Sequence, residues 1–479
     1  MDRALSGERG ADDRAESSTD GSARSAPAAP ATPVAPPGPQ RRTPYGRNPS
    51  LAAHGVWARA EMIEAARVLF ARLGYQATTV ESIGEATGRS GAAVYQYFSG
   101  KFEIFEIFLH EVGHDLREIA GAFPALADDR AGRAALRDWI ARLMAVIEHH
   151  SGIFLGWSQI QYAEPELARV GQANFQQYQQ AVMDRLVQAG AHAPNPSVVP
   201  VGMISVIQWS TLLNAARARP VGRAELADAV AGILQAFLFD PATEVALAAP
   251  DAPVDYHLPV IPLGDELGLR RPVTPRGVGT VQRILLAAAD RFRVNGFQGT
   301  SLNDVAARAG VSHGSVYAYW ADREALFGTL ARDAIGAVRV QRGRVPAPER
   351  PDRPPTPVGE IVDGWLDGWM SLIDVHGSVL YVWQHEIGGP VLDDLTPQRD
   401  EALDGIVDDL LDLCPQDPAD PEPLRVVLRA VLTDVPFVVS AQLAILPRAE
   451  AADFVAQLLR AVLQSASDPA GPAPGRADP

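Results

Sequence analysis

An all-α fold built twice in one chain is what the sequence predicts, on three observations. First, Gly74-Tyr-Gln-Ala-Thr-Thr-Val80 recurs as Gly296-Phe-Gln-Gly-Thr-Ser-Leu302, an offset of 222 residues. That period is far too long for a stacked solenoid repeat. At this offset residues 63–105 and 285–327 are identical at 12 of 43 positions without a gap. The correspondence continues, because His150–Trp157 resembles His376–Trp383 at 226 and Arg223-Ala-Glu-Leu-Ala-Asp228 matches Arg448-Ala-Glu-Ala-Ala-Asp453 at 225. Second, apolar residues recur at helical spacing, while period-two alternation is rare. Third, Ser, Thr and Gly stand where helix starts and corners need them.

The elements follow in order. Residues 1–55 read as disordered, since twelve of the twenty residues 21–40 are Ala or Pro and none is large and apolar. A first head is expected over 56–102. Ile63, Ala66, Phe70 and Leu73 form the stripe of its opening helix. Thr79 can cap a second helix, and in the repeat Ser301 with Asp304 makes a capping box. Gly88 and Gly310 break the chain two turns later, where a helix–turn–helix corner requires a left-handed residue. Ser90 and Ser312 cap a third short helix that ends near Tyr97 and Tyr319, and a long helix with Phe105, Leu109, Val112, Leu116 and Ile119 follows. The first body then spans 103–240, a Pro-rich connector 241–279, the second head 280–324, the second body 325–466, and a disordered tail 467–479.

Composition narrows the class. The 479 residues suit several domains, and a 47 % hydrophobic, 21 % charged chain is globular. Cys414 is the single cysteine, which excludes a disulfide scaffold. The start Met1-Asp2-Arg3 has no apolar signal segment. The most apolar stretches, 201–216 and 426–446, are interrupted by Gln208 and by Asp434 and Pro436. A soluble, cytoplasmic protein without a membrane partner is expected. The formal charge of −16 argues against a nucleic-acid partner only if charge is evenly spread, and it is not. Residues 40–105 carry +3 and 269–327 carry +4, leaving −23 for the rest.

The run Thr79-Val-Glu-Ser-Ile-Gly-Glu-Ala-Thr-Gly-Arg-Ser-Gly-Ala-Ala-Val-Tyr-Gln-Tyr-Phe-Ser-Gly-Lys101, with its partner Ser301–Arg323, resembles the DNA-binding signature of the tetracycline-repressor (TetR) family. The Tyr-x-Tyr-aromatic-x-x-basic ending, found twice in register, makes the resemblance specific over about 45 residues in each half. It implies a three-helix DNA-binding head and a helical body of about six helices in each half. In that family the body takes a small effector and its last two helices form a dimer.

By the same resemblance Thr79, Tyr95, Tyr97 and Lys101, with Ser301, Tyr317, Tyr319 and Arg323, occupy phosphate-contact positions. Hydroxyls and cations there fix register on the backbone. Arg89, Ser90, Gly91, Ala92, Ala93 and Gln96 in the first half, and Asn303, Ser312, His313, Gly314, Ser315 and Ala318 in the second, fall at or near the base edges. Gln96 and Asn303 have the donor–acceptor pair that suits adenine. The pairs Arg41-Arg42 and Arg270-Arg271 precede each head and read as minor-groove arms or as solvated linker charge. Three small residues in a row and Glu81 weaken direct readout by the first recognition helix.

Aromatic residues crowd the bodies. Trp157, Tyr162, Phe175, Trp209, Trp369, Trp383 and His385 are candidates for an effector pocket, against the plainer reading that they are helical core. Trp157 and Trp383 sit at matching positions after a turn expected at His150 and His376. His110-Glu111-Val112-Gly113-His114 has the spacing of a zinc hydrolase motif, but its counterpart Arg332–Gly336 has no ligands and no third ligand follows. No metal or other cofactor is expected. The expectation is a non-enzymatic, sequence-specific transcriptional regulator, a repressor released by an effector, acting in the cytoplasm on the nucleoid. Its partners are a double-stranded operator and a small molecule. The alternatives are a zinc-dependent hydrolase and a ligand sensor with degenerate heads. Segments 201–216 and 226–239 match 426–446 and 452–463, so one chain forms an internal four-helix interface and works as a pseudo-dimer, with a homodimer of chains as the rival.

Overall fold

The structure, a computed structural model, describes residues 49–188, 199–239, 274–345, 358–386, 390–413, 420–442 and 447–467. Every regular element among them is helical. The first half runs α1 (Pro49–Ala77), α2 (Val80–Ala86), α3 (Gly91–Val94), α4 (Lys101–Gly121), α5 (Arg130–His149), α6 (Ser151–Ala163), α7 (Pro165–Gln188), α8 (Val199–Ala215) and α9 (Arg223–Phe239). The second runs α10 (Pro275–Asn295), α11 (Leu302–Ala309), α12 (His313–Tyr317), α13 (Arg323–Arg342), α14 (Val358–Glu386), α15 (Pro390–Asp393), α16 (Thr396–Leu411), α17 (Glu422–Leu432), α18 (Asp434–Phe437) with a π-turn over Val438–Gln442, and α19 (Arg448–Ser467). The arginine pairs 41–42 and 270–271, Cys414, the last twelve residues and most of the connector lie outside the described residues, as does the Tyr162 side chain.

Both heads are built by the same local chemistry. Thr79 Oγ1 accepts from Ser82 N, and Ser301 Oγ accepts from Asp304 N while Asp304 accepts from Ser301 N, closing a capping box at each second helix. Ser90 and Ser312 cap the third helices by accepting from Ala93 N and Ser315 N. The corners fall at Gly88 and Gly310, with φ of 66° and 63°. The turns before α2 and α11 fall at Gly74 and Gly296, with φ of 77° and 69°. A side chain resists that left-handed region. Each head closes on an aromatic cluster shared with the long helix behind it. Phe70 and Tyr75 meet Phe105 edge-on at 5.3 and 5.1 Å, and Phe292 and Phe297 meet Phe327 at 4.9 and 5.5 Å.

Four boundaries differ from expectation. Helix begins at Pro49 rather than 56. In the second half it begins at Pro275 rather than 280, because Thr274 caps Gly277 N and proline suits the first helical position. The third helices stop at Val94 and Tyr317, short of Tyr97 and Tyr319, where the chain tightens into i→i+3 bonds (Tyr97 N to Val94 O, Tyr319 N to Val316 O). The apolar stretch expected over 426–446 is broken after Leu432 into α17, α18 and the π-turn, around Pro436 and the buried Asp434.

The turn expected at both His150 and His376 exists only at the first. His150 ends α5, and its ring is bonded to Asp115 Oδ2 at 2.7 Å and faces an Arg67 nitrogen at 3.4 Å. Gly152 then lets α6 lie against the α1 backbone at Phe70 and Ala71. His376 instead lies 3.9 Å from Asp333, and α14 runs straight through.

The halves meet through their last helices. α8, whose residues are buried on nearly all sides, packs on α17 and α18, and α9 packs on α17 and α19. Phe237 and Phe454 meet edge-on at 5.5 Å, and a Cβ at Gly202 would fall inside the Phe454 ring, so glycine permits the approach. Arg217 pairs with Glu422 at the edge of this interface. Helix α6 touches the first helices of both heads, α1 and α10.

Candidate nucleic-acid interface and cavity

The head surface expected to meet DNA sorts into exposed and internal residues. Tyr95 and Tyr317 stand out at 51 % and 48 % exposure, whereas Tyr97 and Tyr319 are half-buried against the core. Thr79, Ser90, Ala92, Gln96, Ser301, Asn303, Ser312, His313, Gly314 and Ala318 are exposed, and Gly91, Ala93 and Ser315 partly so. His313 lies over the Tyr317 ring at 4.3 Å. Glu81 lies against Gly91, which puts an anion beside the first recognition helix.

Three cations of the expected interface are turned inward. Lys101 Nζ donates to the carbonyls of Tyr75, Gln76 and Thr78 at 2.7, 3.2 and 3.0 Å and sits 4.4 Å from the Tyr75 ring. Burial pulls its pKa down, against the raising effect of Glu164. Arg323 donates to Phe297 O, Gln298 O and the Gln298 side chain and lies over the Phe297 ring. Arg89 donates to Glu61 at 2.6 Å and to Thr87 O at 2.8 Å. These bonds hold the corner of the head together. The cause is local: both cations start a helix directly below the open carbonyls left by the Gly74 and Gly296 turns.

A body-to-head link repeats in both halves. Glu164, at the end of α6, accepts from Tyr75 Oη at 3.2 Å, and burial followed by this carboxylate pushes the Tyr75 pKa up. In the second half Glu386, the last residue of α14, accepts from Phe297 N at 2.9 Å. Phe297 has no hydroxyl, and the backbone takes its place. The sequence reading missed this pair, and the repeat register does not reveal it, because the bodies align at 226 around His150 and His376.

The expected pocket residues divide as well. Trp157, Phe175 and Trp209 line a cavity of about 460 Å³ between α4, α6, α7 and α8. Leu109, Leu116, Phe154 and Ile204 add apolar wall, and Gln172, Asn174, Gln176, Gln179 and Gln208 add amides. Tyr381 and Val438 of the second half complete the lining. The amide-rich face of α7 was legible as the run Asn174-Phe-Gln-Gln-Tyr-Gln-Gln180; the second-half wall was not. Trp369, Trp383 and His385 are second-half core instead. Trp369 Nε1 donates to Leu432 O at 2.7 Å and Trp383 Nε1 to Thr396 Oγ1 at 3.3 Å. His385 bonds Asp434 at 2.6 Å while its ring packs on Trp209 at 4.6 Å and Tyr381 at 4.8 Å.

The hydrolase alternative finds no support. His110 and His114 are exposed on α4, and Glu111, the base of the motif, is ion-paired with Arg67 at 2.7 Å. The group His114, Asp115 and Glu118 could gather around a metal ion, but Asp115 is bonded to His150. No described helix is long and apolar enough to cross a membrane.

The family "Bacterial regulatory proteins, tetR family" matches residues 62–107 and again 284–330. The HTH-type transcriptional activator FasR of Mycolicibacterium smegmatis is 27 % identical over 150 residues, 31 % of this chain and 68 % of FasR. The uncharacterised HTH-type transcriptional regulator YdgC of Bacillus subtilis is 36 % identical over 64 residues, 13 % of this chain and 33 % of YdgC. A crystal structure described as a tetR-family transcriptional regulator from Mesorhizobium loti aligns at 21 % identity with a TM-score of 0.29, over 37 % of this chain and 94 % of that one.

Proposed function

With a tetR-family head in each half, the chain is a tandem DNA-binding regulator of that family, and we propose that one chain places both heads on one operator and is released from it by a small molecule. The observation that carries this is the interface of α8 and α9 with α17–α19, where two halves of one chain join through their last helices. A lone head reads a short half-site weakly; two heads held by one bundle read two half-sites about one helical turn apart.

Exposed hydroxyls at Thr79, Tyr95, Ser301 and Tyr317 meet phosphates, and Gln96, Asn303 and His313 face base edges. Ser90-Gly-Ala-Ala-Val94 and Ser312-His-Gly-Ser-Val316 differ, so the operator is an imperfect palindrome. The acidic remainder is repelled by DNA and orients the basic heads toward it. The chain acts on the nucleoid, and repression by occupying the site is the sign we assign. Selection of bound sequences from random DNA tests the reading: two unlike half-sites are expected, and no enrichment refutes it. A reporter gene behind the selected site distinguishes repression from the activation that the name of FasR carries.

A further inference from the structure

We infer that the cavity behind Trp157 is a single effector site shared by both halves and coupled to both heads, and that it takes a neutral, largely apolar molecule bearing a hydrogen-bond acceptor. The inference rests on the effector-released reading above and names its ligand class and its wiring.

The site is incomplete without the second half. α4, α6, α7 and α8 supply most of the wall, but Tyr381 from α14 and Val438 from the π-turn close it. Its volume of about 460 Å³ lies within the usual range for small-molecule pockets. The ligand class follows from the lining. No described residue of the wall carries a charge, so an ionic group inside would be desolvated without a partner among them. The amides of α7 and Gln208 can pair with neutral polar groups, and Trp209, only 2 % exposed, has an indole N–H with no hydrogen-bond partner. A ligand acceptor that reaches this unpaired donor relieves the cost of leaving it without a bond. Among the described residues of the second body, Trp365, Trp369 and Trp383 are buried with each N–H bonded to protein. One site per chain is therefore expected.

The wiring runs along two helices. Phe154 and Trp157 lie on α6, which packs against both α1 and α10 and ends at Glu164 on the Tyr75 hydroxyl of the first head. Tyr381 lies on α14, which ends at Glu386 on the Phe297 amide of the second head. A ligand that prefers a shifted α6 or α14 necessarily disfavours the head positions that fit DNA.

Two environment-sensitive dyes test this on the full chain: Nile red, neutral with a carbonyl acceptor, and the anionic 1-anilinonaphthalene-8-sulfonate. Nile red is expected to bind one per chain, at least tenfold more tightly than the anion, and to weaken binding to both selected half-sites. Tyr381→Ala and Val438→Trp, both in the second half, are each expected to weaken dye binding at least tenfold while DNA affinity without dye is unchanged. Trp209→Phe, which keeps the ring and removes the donor, is expected to cost three- to tenfold. Val438→Trp fills space instead of emptying it and covers the case in which Tyr381→Ala does not fold. Two dyes per chain, equal affinity for the anion, no dye binding, or second-half variants that bind dye normally would overturn the inference. Release of one half-site only would overturn the coupling to both heads. Dye binding with these properties but without any effect on DNA would instead refute the effector-released reading and leave the shared site standing.

Discussion

The ammonium of Lys101 gives all three of its donors to carbonyls that follow the Gly74 kink, and the guanidinium of Arg323 does the equivalent work below Phe297. Removing either leaves partly buried carbonyls unpaired, at a cost of about 1–3 kcal/mol. Lys101→Ala is thus expected to lower the melting temperature while the salt slope of DNA binding by the folded protein stays the same. A slope reduced by one unit would mean a direct phosphate contact. Gln96→Ala and Asn303→Ala should do the reverse, leaving stability intact and relaxing preference at single base pairs by roughly 1–3 kcal/mol in sequence selection. A second contrast concerns charge. In the first half Arg67 joins Glu111 and faces His150. The repeat places Ala289 where Arg67 stands, and Asp333 Oδ2 there is buried without a hydrogen-bond partner. Burial pushes the Asp333 carboxyl up to about 6 and pushes His376 down to about 4. A raised acid favours the fold below its unfolded pKa near 4 and loses that contribution as pH rises through 6; a lowered histidine favours it above 6.5 and loses it as pH falls through 4. Asp333→Asn should therefore stabilise the protein at pH 8, by up to about 3 kcal/mol, and give no gain at pH 4 in parallel thermal melts.

At the scale of the element, the head depends on how closely α2 and α3 approach. A Cβ at Gly84 would lie 2.9 Å from both Arg89 O and Ser90 C, backbone atoms that cannot rotate away, whereas one at Gly88 would meet nothing within 4 Å. Gly88→Ala should cost only the strain of φ +66°, about 1 kcal/mol. Gly84→Ala must pry α3 from α2, so it should cost more in a melt and also displace the first recognition helix, abolishing selection at that half-site while the second persists. Equal effects of the two substitutions would mean that the α2–α3 distance does not matter. Helix α14 marks the opposite case, where the unbroken passage through His376 makes one rigid rod from the second body's core to the turn at Phe297.

For the whole molecule, the decisive quantity is the number of chains on one operator. The internal bundle uses the last helices of both halves, so the apolar surface that would join two chains is already covered by the chain itself. Sedimentation is expected to give one chain free and one chain per selected operator. A stable two-chain species with a symmetric footprint would replace the pseudo-dimer by a four-headed dimer. Separating the heads from their acidic bodies in charge, +3 and +4 against −23, also predicts binding that weakens steeply with salt despite a net charge of −16.

By itself the sequence determined the repeat, the helical class, the capped helix–turn–helix corners and the apolar segments that join the halves. These follow from short-range rules: 3.6-residue spacing, side-chain caps within three residues, and glycine at positive φ. Only the tertiary structure decided which of two chemically similar residues does what. Tyr95 and Tyr97 are two positions apart, yet one is exposed and the other packed. Lys101 looks like a surface cation until the Gly74 turn places three carbonyls around it. Trp209 and Trp369 are equally plausible pocket residues until one is found lining a cavity with its donor unpaired and the other bonded to Leu432. The cavity itself, with Tyr381 closing a wall begun by Trp157, joins residues more than two hundred positions apart. Local pattern carries no information about such a meeting, because burial and pairing are properties of the packed interior and not of the neighbouring chain.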